Sequence, residues 1–153
     1  ERAMLAALRY LRPAYVAASG AAVRALAADP SLPRSDLRSV RAWLVGDPLP
    51  ARIARQFEEA AGIALCQGFA PAGAAGLATC NPVAGRAGAW TAGLPLPGID
   101  VRVVRDDGSG AAPRETGRLE FAGPNVVAPE GWLATGTRGH VDDKGFVHLT
   151  DAG

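Results

Sequence analysis

The sequence predicts a mixed α/β fold in which a partial, helix-covered parallel sheet is followed by a small antiparallel, β-barrel-like subdomain. Three observations predict it. Apolar stripes at helical spacing alternate with short apolar runs as far as about residue 80. From Ile99 onward the pattern becomes apolar–polar alternation around Asp-Gly turns. Pro and Gly punctuate every connection in that second stretch. The change falls in CNPVAGRAG, so the expected division is an α/β subdomain at 1–82 and an antiparallel subdomain at 83–153.

Each element has its own reason. In RAMLAALRYL, Met4, Leu5, Leu8 and Leu11 share one helical face, and Pro13 stops the helix. AYVAAS has the length of a strand. Ser19 is placed to cap GAAVRALAAD, whose stripe is Val23, Leu26 and Ala27 and whose end is Asp29-Pro30. SVRAWLV is apolar without interruption from Ala42 to Val45, as a buried parallel strand is. Asp47-Pro48 is expected to open the next helix, with a carboxylate at the N-cap and proline at the first helical position. That helix keeps Leu49, Ile53 and Phe57 on one side, and Gly62 is ready to end it in the left-handed conformation. IALCQGF is the third strand. IDVRVVRDDGSG and GRLEFAG alternate as half-buried strands do, and GHVDDKGFVHL reads as two short strands around Asp-Asp-Lys-Gly. No long-period repeat is present.

Composition narrows the function classes. Lys plus Arg number 16 against 15 Asp plus Glu, which argues against nucleic acid or an anionic membrane as the main partner. No apolar run approaches the ~18 residues of a membrane span. ERAMLAALRYLRP interleaves charges with its apolar positions, unlike a secretory signal, so a cytoplasmic location is expected. The first residue is Glu rather than Met, and the chain is expected to be a processed or excised piece of something longer. Cys66 and Cys80 lack CxxC spacing; two mostly buried thiols in a reducing compartment are expected, with a metal or redox pair as the alternative. His140 and His148 stand at no metal-binding interval, so no metal site is expected. Asp106 with Asp107, and Asp142 with Asp143, resemble acid/base pairs but fall in hairpin turns, where solvated carboxylates are the expectation.

The order of five stretches carries a resemblance: SDLRSVRAWLVGDPLP, CQGF, TAGLPLPGIDVRVVRDDGSGAAPRETGRLEFAGPNV, EGWLATG and KGFVHLTD. Together they resemble the AMP-forming acyl-CoA synthetases, within the wider acyl-adenylate-forming enzymes, over essentially the whole chain. The resemblance implies the second half of that family's large domain, part of an α/β subdomain followed by a small β-barrel. It also implies carboxylate activation by ATP to an acyl-AMP and transfer to a thiol, with ATP, Mg²⁺ and CoA as the family's cofactors. On the adenine side, Gly46, Asp47 and Pro48 match a Gly-x-Pro turn, although a capped helix start accounts for the same residues. Gly68 and Phe69 match the position of an adenine-stacking aromatic, although a core phenylalanine ending a strand is the other reading.

The chemistry of the resemblance is missing residue by residue. Where the family has aromatic–Gly–x–Thr–Glu, this chain has Phe69, Ala70, Pro71, Ala72 and Gly73. A threonine could bond a phosphate oxygen and a glutamate could hold Mg²⁺; alanine and glycine do neither. Losing one such donor costs about 10²–10³ in rate. Thr137 stands where the family's ribose-gripping aspartate follows Thr-Gly, and Ala152 replaces the hinge arginine beside Asp151. GPNVVAPEGW lacks the usual Gly-Tyr insert, and Trp90 replaces a small glycine. The family's Ser/Thr/Gly-rich phosphate loop and its lysine-bearing C-terminal domain do not occur in this sequence. Gly68, Gly93, Pro95, Pro97, Gly98, Gly117, Gly123 and Gly136 are all retained.

The resulting expectation is an adenylate-forming fold with no catalytic residue and no metal, inactive alone and kept as a structural or protein-interaction module. A homodimer or a host multidomain protein is expected, because a half-domain leaves apolar surface and strand edges uncovered. A fragment of a working carboxylic-acid–CoA ligase, and a nucleotide- or acyl-binding module without chemistry, are the alternatives. The acyl substrate is not indicated.

Overall fold

In the computed structural model, which describes residues 2–83, 91–128 and 131–150, the order of elements follows the sequence pattern closely. The helix α1 (Arg2–Leu11) leads into β1 (Tyr15–Ala18), α2 (Gly20–Ala27), a 3-10 turn (Leu32–Arg34), β2 (Ala42–Val45), α3 (Ala51–Ala61) and β3 (Ala64–Phe69). Two-residue strands β4 (Thr79–Cys80) and β5 (Leu94–Pro95) follow. The second half contains β6 (Asp100–Val104), β7 (Gly117–Ala122), β8 (Leu133–Val141) and β9 (Val147–Leu149).

The first sheet has the order β1-β2-β3-β4-β5. Strands β1, β2 and β3 are parallel, while β3–β4 and β4–β5 are antiparallel. Its core joins Leu5 and Leu8 of α1, Val23 and Leu26 of α2, Trp43 and Val45 of β2, and Ala54 and Phe57 of α3. Trp43 and Phe57 meet edge to face at 5.0 Å, the favoured geometry for aromatic pairs. Gln56 Nε2 donates to Ala27 O at 2.9 Å and so ties α3 to the end of α2. The caps are those the sequence predicts: Ser19 Oγ accepts from Ala22 N, and Gly62 ends α3 at φ 66°.

The start of α3 differs from expectation. The helix begins at Ala51 after Pro50, not at Pro48, and Asp47 does not cap it. Pro48 and Pro50 bracket Leu49, and a residue before proline is held out of the helical region. Leu49 is also buried in the first core, which pins the segment there. The Asp47 carboxylate instead reaches back to α2, where Oδ2 accepts from Gly20 N at 2.8 Å.

The second sheet, β6-β7-β8-β9, is antiparallel throughout and curls into a half-barrel. A register shift opposite Leu119 puts Thr135, Gly136 and Thr137 of β8 against one residue of β7. Gly136 takes φ 72° there, as a bulge requires. The sequence reading anticipated neither β4 nor β5, and read no strand in the stretch that begins β8. Both Asp pairs lie in turns, as expected, but their carboxylates are engaged in bonds rather than simply solvated. Asp107 holds Ser109 and Asp106 pairs with Arg138, while Asp142 accepts from Lys144 N and Phe146 N and Asp143 pairs with Arg114.

The two sheets share a seam. Phe69, at the end of β3, belongs to the second core with Leu119, Phe121 and Val147. Across the same boundary Val147 N donates to Gly93 O, and Ala92 N donates to Val147 O. No helix among the described residues is long and apolar enough to cross a membrane.

Candidate functional site

In open α/β sheets, ligands settle beyond the carboxyl ends of the parallel strands. Three connections meet at that edge here: Ser19-Gly20 after β1, Gly46-Asp47-Pro48 after β2, and Ala70 to Gly73 after β3. Close approach of neighbouring atoms fixes two glycines. A Cβ on Gly46 would lie 2.9 Å from Ala70 Cβ, and one on Gly68 would lie 2.2 Å from Thr79 O. Ala70 N donates to Gly46 O at 3.1 Å, which joins the two candidate loops directly. Gly46, Asp47, Pro48, Gly68 and Phe69 therefore come together as one edge.

The geometry then uses up most of their binding capacity. The Asp47 carboxylate stands against the amide end of α2, the place where an anion would be attracted. Phe69 is 7% exposed, and its ring lies 5.8 Å from that of Phe121, tilted by 46°. That ring is a core ring. Pro71 is buried, while Ala72 and Gly73 face solvent and carry no polar side-chain atom.

The loop is stitched to the second half of the chain. Val127 N donates to Gly73 O at 2.8 Å, Ala75 N to Asn125 O at 2.7 Å, and Asn125 Nδ2 to Leu77 O at 3.1 Å. Gly73 has φ +96°, and a Cβ there would lie 2.9 Å from Leu133 Cδ1. A glutamate at this position would need both a disfavoured backbone and a displaced Leu133. Thr137 sits in the β8 bulge, half-buried, with its N–H donated to Thr135 Oγ1 at 3.2 Å. Trp90, Asp151 and Ala152 lie outside the described residues.

The donor set decides which of the implied groups this edge suits. Ala70, Pro71, Ala72 and Gly73 supply neither a carboxylate for Mg²⁺ nor a hydroxyl for a phosphate oxygen. Among the described residues no three His, Cys, Asp or Glu side chains are grouped to hold a metal ion. The residues do not fit Mg²⁺ or a polyphosphate, and no chemical step is derived through either.

Sequence reasoning gave no role to Gln67, although it stands in CQGF, and missed Asn81, Thr91 and Asn125 beside the edge. Gln67 is buried in β3, and its main-chain O accepts from both Asn81 N and Asn81 Nδ2. Asn81 Nδ2 also donates to Thr91 O, and Thr91 Oγ1 donates back to Asn81 Oδ1. The Gln67 and Asn125 side-chain oxygens are buried without a hydrogen-bond partner. The available signal was the glutamine inside the apolar run IALCQGF, since a buried amide demands partners. Both cysteines are reduced. Burial, with lesser contributions from Cys80 and Glu58, pushes the Cys66 thiol up to about 11, and burial raises Cys80 as well. Neither is an activated nucleophile.

The model of the family described as AMP-binding enzyme matches residues 1–129. A long-chain-fatty-acid–CoA ligase from Bacillus subtilis is 30% identical over 137 residues, covering 80% of this chain and 24% of the relative. A feruloyl-CoA synthase from an Amycolatopsis species is 30% identical over 164 aligned positions, covering 97% of this chain and 33% of the relative. Among solved structures, the amide bond synthetase McbA from Marinactinospora thermotolerans superposes with a TM-score of 0.86 at 28% identity, over 98% of this chain and 34% of that one. The chain thus spans between a quarter and a third of the length of these proteins.

Proposed function

Because the chain belongs to the AMP-binding enzyme family, we propose that it is an adenylate-forming ligase-like domain that has lost adenylation chemistry and serves as a structural or protein-interaction module. The observation that carries this is the loop after β3. Ala72 and Gly73 replace the phosphate- and metal-binding pair that the family resemblance implies. Gly73 further combines φ +96°, which disfavours any side chain, with a contact that a Cβ could make only by displacing Leu133. In this proposal Thr137 and Ala152 are further lost contacts, to ribose and at the hinge. Gly46, Asp47, Pro48, Gly68 and Phe69 survive as the scaffold of the former nucleotide edge. The module is proposed to be cytoplasmic, with subdomains at 1–82 and 83–153, and to work as a homodimer or inside a larger host protein.

ATP–pyrophosphate exchange with a panel of fatty, aryl and short-chain carboxylic acids tests the proposal. No exchange above the protein-free rate is expected, and acid-dependent exchange refutes it. Light scattering tests the assembly, and a monomer at high concentration removes the homodimer.

A second reading is one part of a working carboxylic-acid–CoA ligase that draws ATP, Mg²⁺ and CoA to groups on another stretch or chain. The coverage favours it, since 24% of the Bacillus subtilis relative matches this chain. Exchange that appears only when the remaining family segments are supplied would select this reading. A nucleotide-binding module without chemistry finds less support, because Phe69 is packed on Phe121 and Asp47 is bonded to α2.

A further inference from the structure

The β8–β9 hairpin carries two imidazoles for which the proposed function has no use. His140 and His148 are directly opposed in the register of β8 and β9. Their rings stack with 3° between planes and 4.6 Å between centroids. The two are not equivalent. His148 Nε2 lies 3.0 Å from Asp142 Oδ2, while His140 faces the His148 ring, with Asp142 and the Arg114 guanidinium as the other charged groups around it among the described residues. Arg114 is itself paired with Asp143 at 2.7 Å.

We propose that this stacked pair makes the hairpin a proton-sensitive latch, which opens when a proton is forced onto His140. A charge there would lie on a half-buried ring stacked against a second imidazole and near the Arg114 guanidinium, with the Asp142 carboxylate already engaged by His148 Nε2. Burial and the neighbouring His148 already push His140 below its ordinary value, and Arg114 adds to this. Asp142 pulls the other way, but it is also held by the Lys144 and Phe146 amides of its own turn.

The sign follows from a depressed base. The stack stabilises the fold fully above about pH 6.5, the unfolded histidine value, and loses that contribution as pH falls through the lower value of folded His140. The latch holds more than its own turn. Val147, beside His148, carries both hydrogen bonds of the seam to Ala92 and Gly93. Opening the hairpin therefore releases these two seam hydrogen bonds, while the ties of the β3 loop to Asn125 and Val127 remain.

The experiment is a titration of the intact protein, with histidine ring carbons labelled with ¹³C and amide exchange read in parallel after correction for its intrinsic pH dependence. The range runs from about pH 8 to about pH 4.5, where histidines charge. His140 is expected to titrate below the ordinary histidine value. Protection of the Ala92 and Val147 amides is expected to fall about tenfold as His140 charges, while α3 amides stay protected. His140→Phe keeps a stacked ring that cannot charge and is expected to hold the seam closed over the whole range. A His140 that titrates at or above the ordinary histidine value overturns the proposal, as does a seam that stays protected while His140 charges. Acid opening of His140→Phe like that of the unsubstituted protein overturns it too. Should His140→Phe fail to fold, the titration and exchange of the unsubstituted protein decide alone.

Discussion

Replacing Asp47 with alanine separates the two roles that its sequence position suggests. A helix begins with unpaired N–H groups, and α2 meets two of them with side chains. Ser19 Oγ takes Ala22 N, and Asp47 Oδ2 takes Gly20 N at 2.8 Å. Gly20 is buried, so its amide has little solvent to fall back on once the carboxylate is gone. Loss of a side-chain cap costs about 0.5–2 kcal/mol. Removing an anion from a helix N-terminus adds roughly 0.3–1 kcal/mol. Asp47 itself faces solvent, which screens its charge and places the total toward the low end, about 1–2 kcal/mol. At this chain length that lowers the melting temperature by roughly 2–8 °C. Asp47→Asn keeps an acceptor and loses only the charge, so a smaller loss of about 0.3–1 kcal/mol is expected. Urea melts read both, with an unchanged m-value as the sign of a pure stability effect. An Asp47→Ala midpoint equal to that of the unsubstituted protein, combined with weakened AMP binding by calorimetry, would refute the reasoning. It would make Asp47 a ligand group rather than a remote cap.

Other predictions follow from single contacts. Gly68→Ala places a methyl 2.2 Å from Thr79 O, so the β3–β4 pairing must shift; a loss of about 2 kcal/mol or more in urea melts is expected, and an unchanged midpoint contradicts the packing. Ala72→Thr with Gly73→Glu rebuilds the family pair in letters only. We expect no gain of pyrophosphate exchange and a stability loss of about 1–2 kcal/mol from the positive φ and Leu133. Hydrogen bonding to His148 first, then to the turn amides, holds the Asp142 carboxyl at about 2. Its contribution to stability is thus present above about pH 4, the unfolded aspartate value, and lost as pH falls toward 2. Asp142→Asn is expected to flatten that acid limb in chemical melts at stepped pH, and an unchanged limb counts against the pairing. With the Cys66 thiol pushed up to about 11, iodoacetamide at neutral pH is expected to modify the more exposed Cys80 first. Equal rates by peptide mass mapping contradict the burial of Cys66.

Much of the parallel half was legible because its signals are local. Ser19 and Gly62 cap helices where a short-range pattern places them, and Ala42 to Val45 shows its burial as an unbroken apolar run. Asp47-Pro48 misled for the same reason, since it copies a cap and first helical turn. Its true partner, Gly20, lies 27 residues back, and no local pattern reports a contact of that range. Strands β4 and β5 are two residues each, too short to show a period. In β8 the period is broken by the bulge at Gly136, and close approach demands another glycine at Gly139, where a Cβ would meet His148 O at 2.2 Å. At the candidate site, the glycines and the missing Thr–Glu pair could be read directly. The packing of Phe69 on Phe121 and the tie between Gly73 and Val127 could not, because both depend on the second half folding over the first.

The seam at Ala92, Gly93 and Val147 also sets an order of events during synthesis. Strands β1 to β3 can pair while the chain is still emerging, since N-terminal units fold first. Ala92 and Gly93 cannot, because both of their seam hydrogen bonds wait for Val147. Until β9 has been translated, the nascent chain carries main-chain groups already shaped for a partner that has not yet been made. That interval is when a chaperone, or the wrong strand, finds them open.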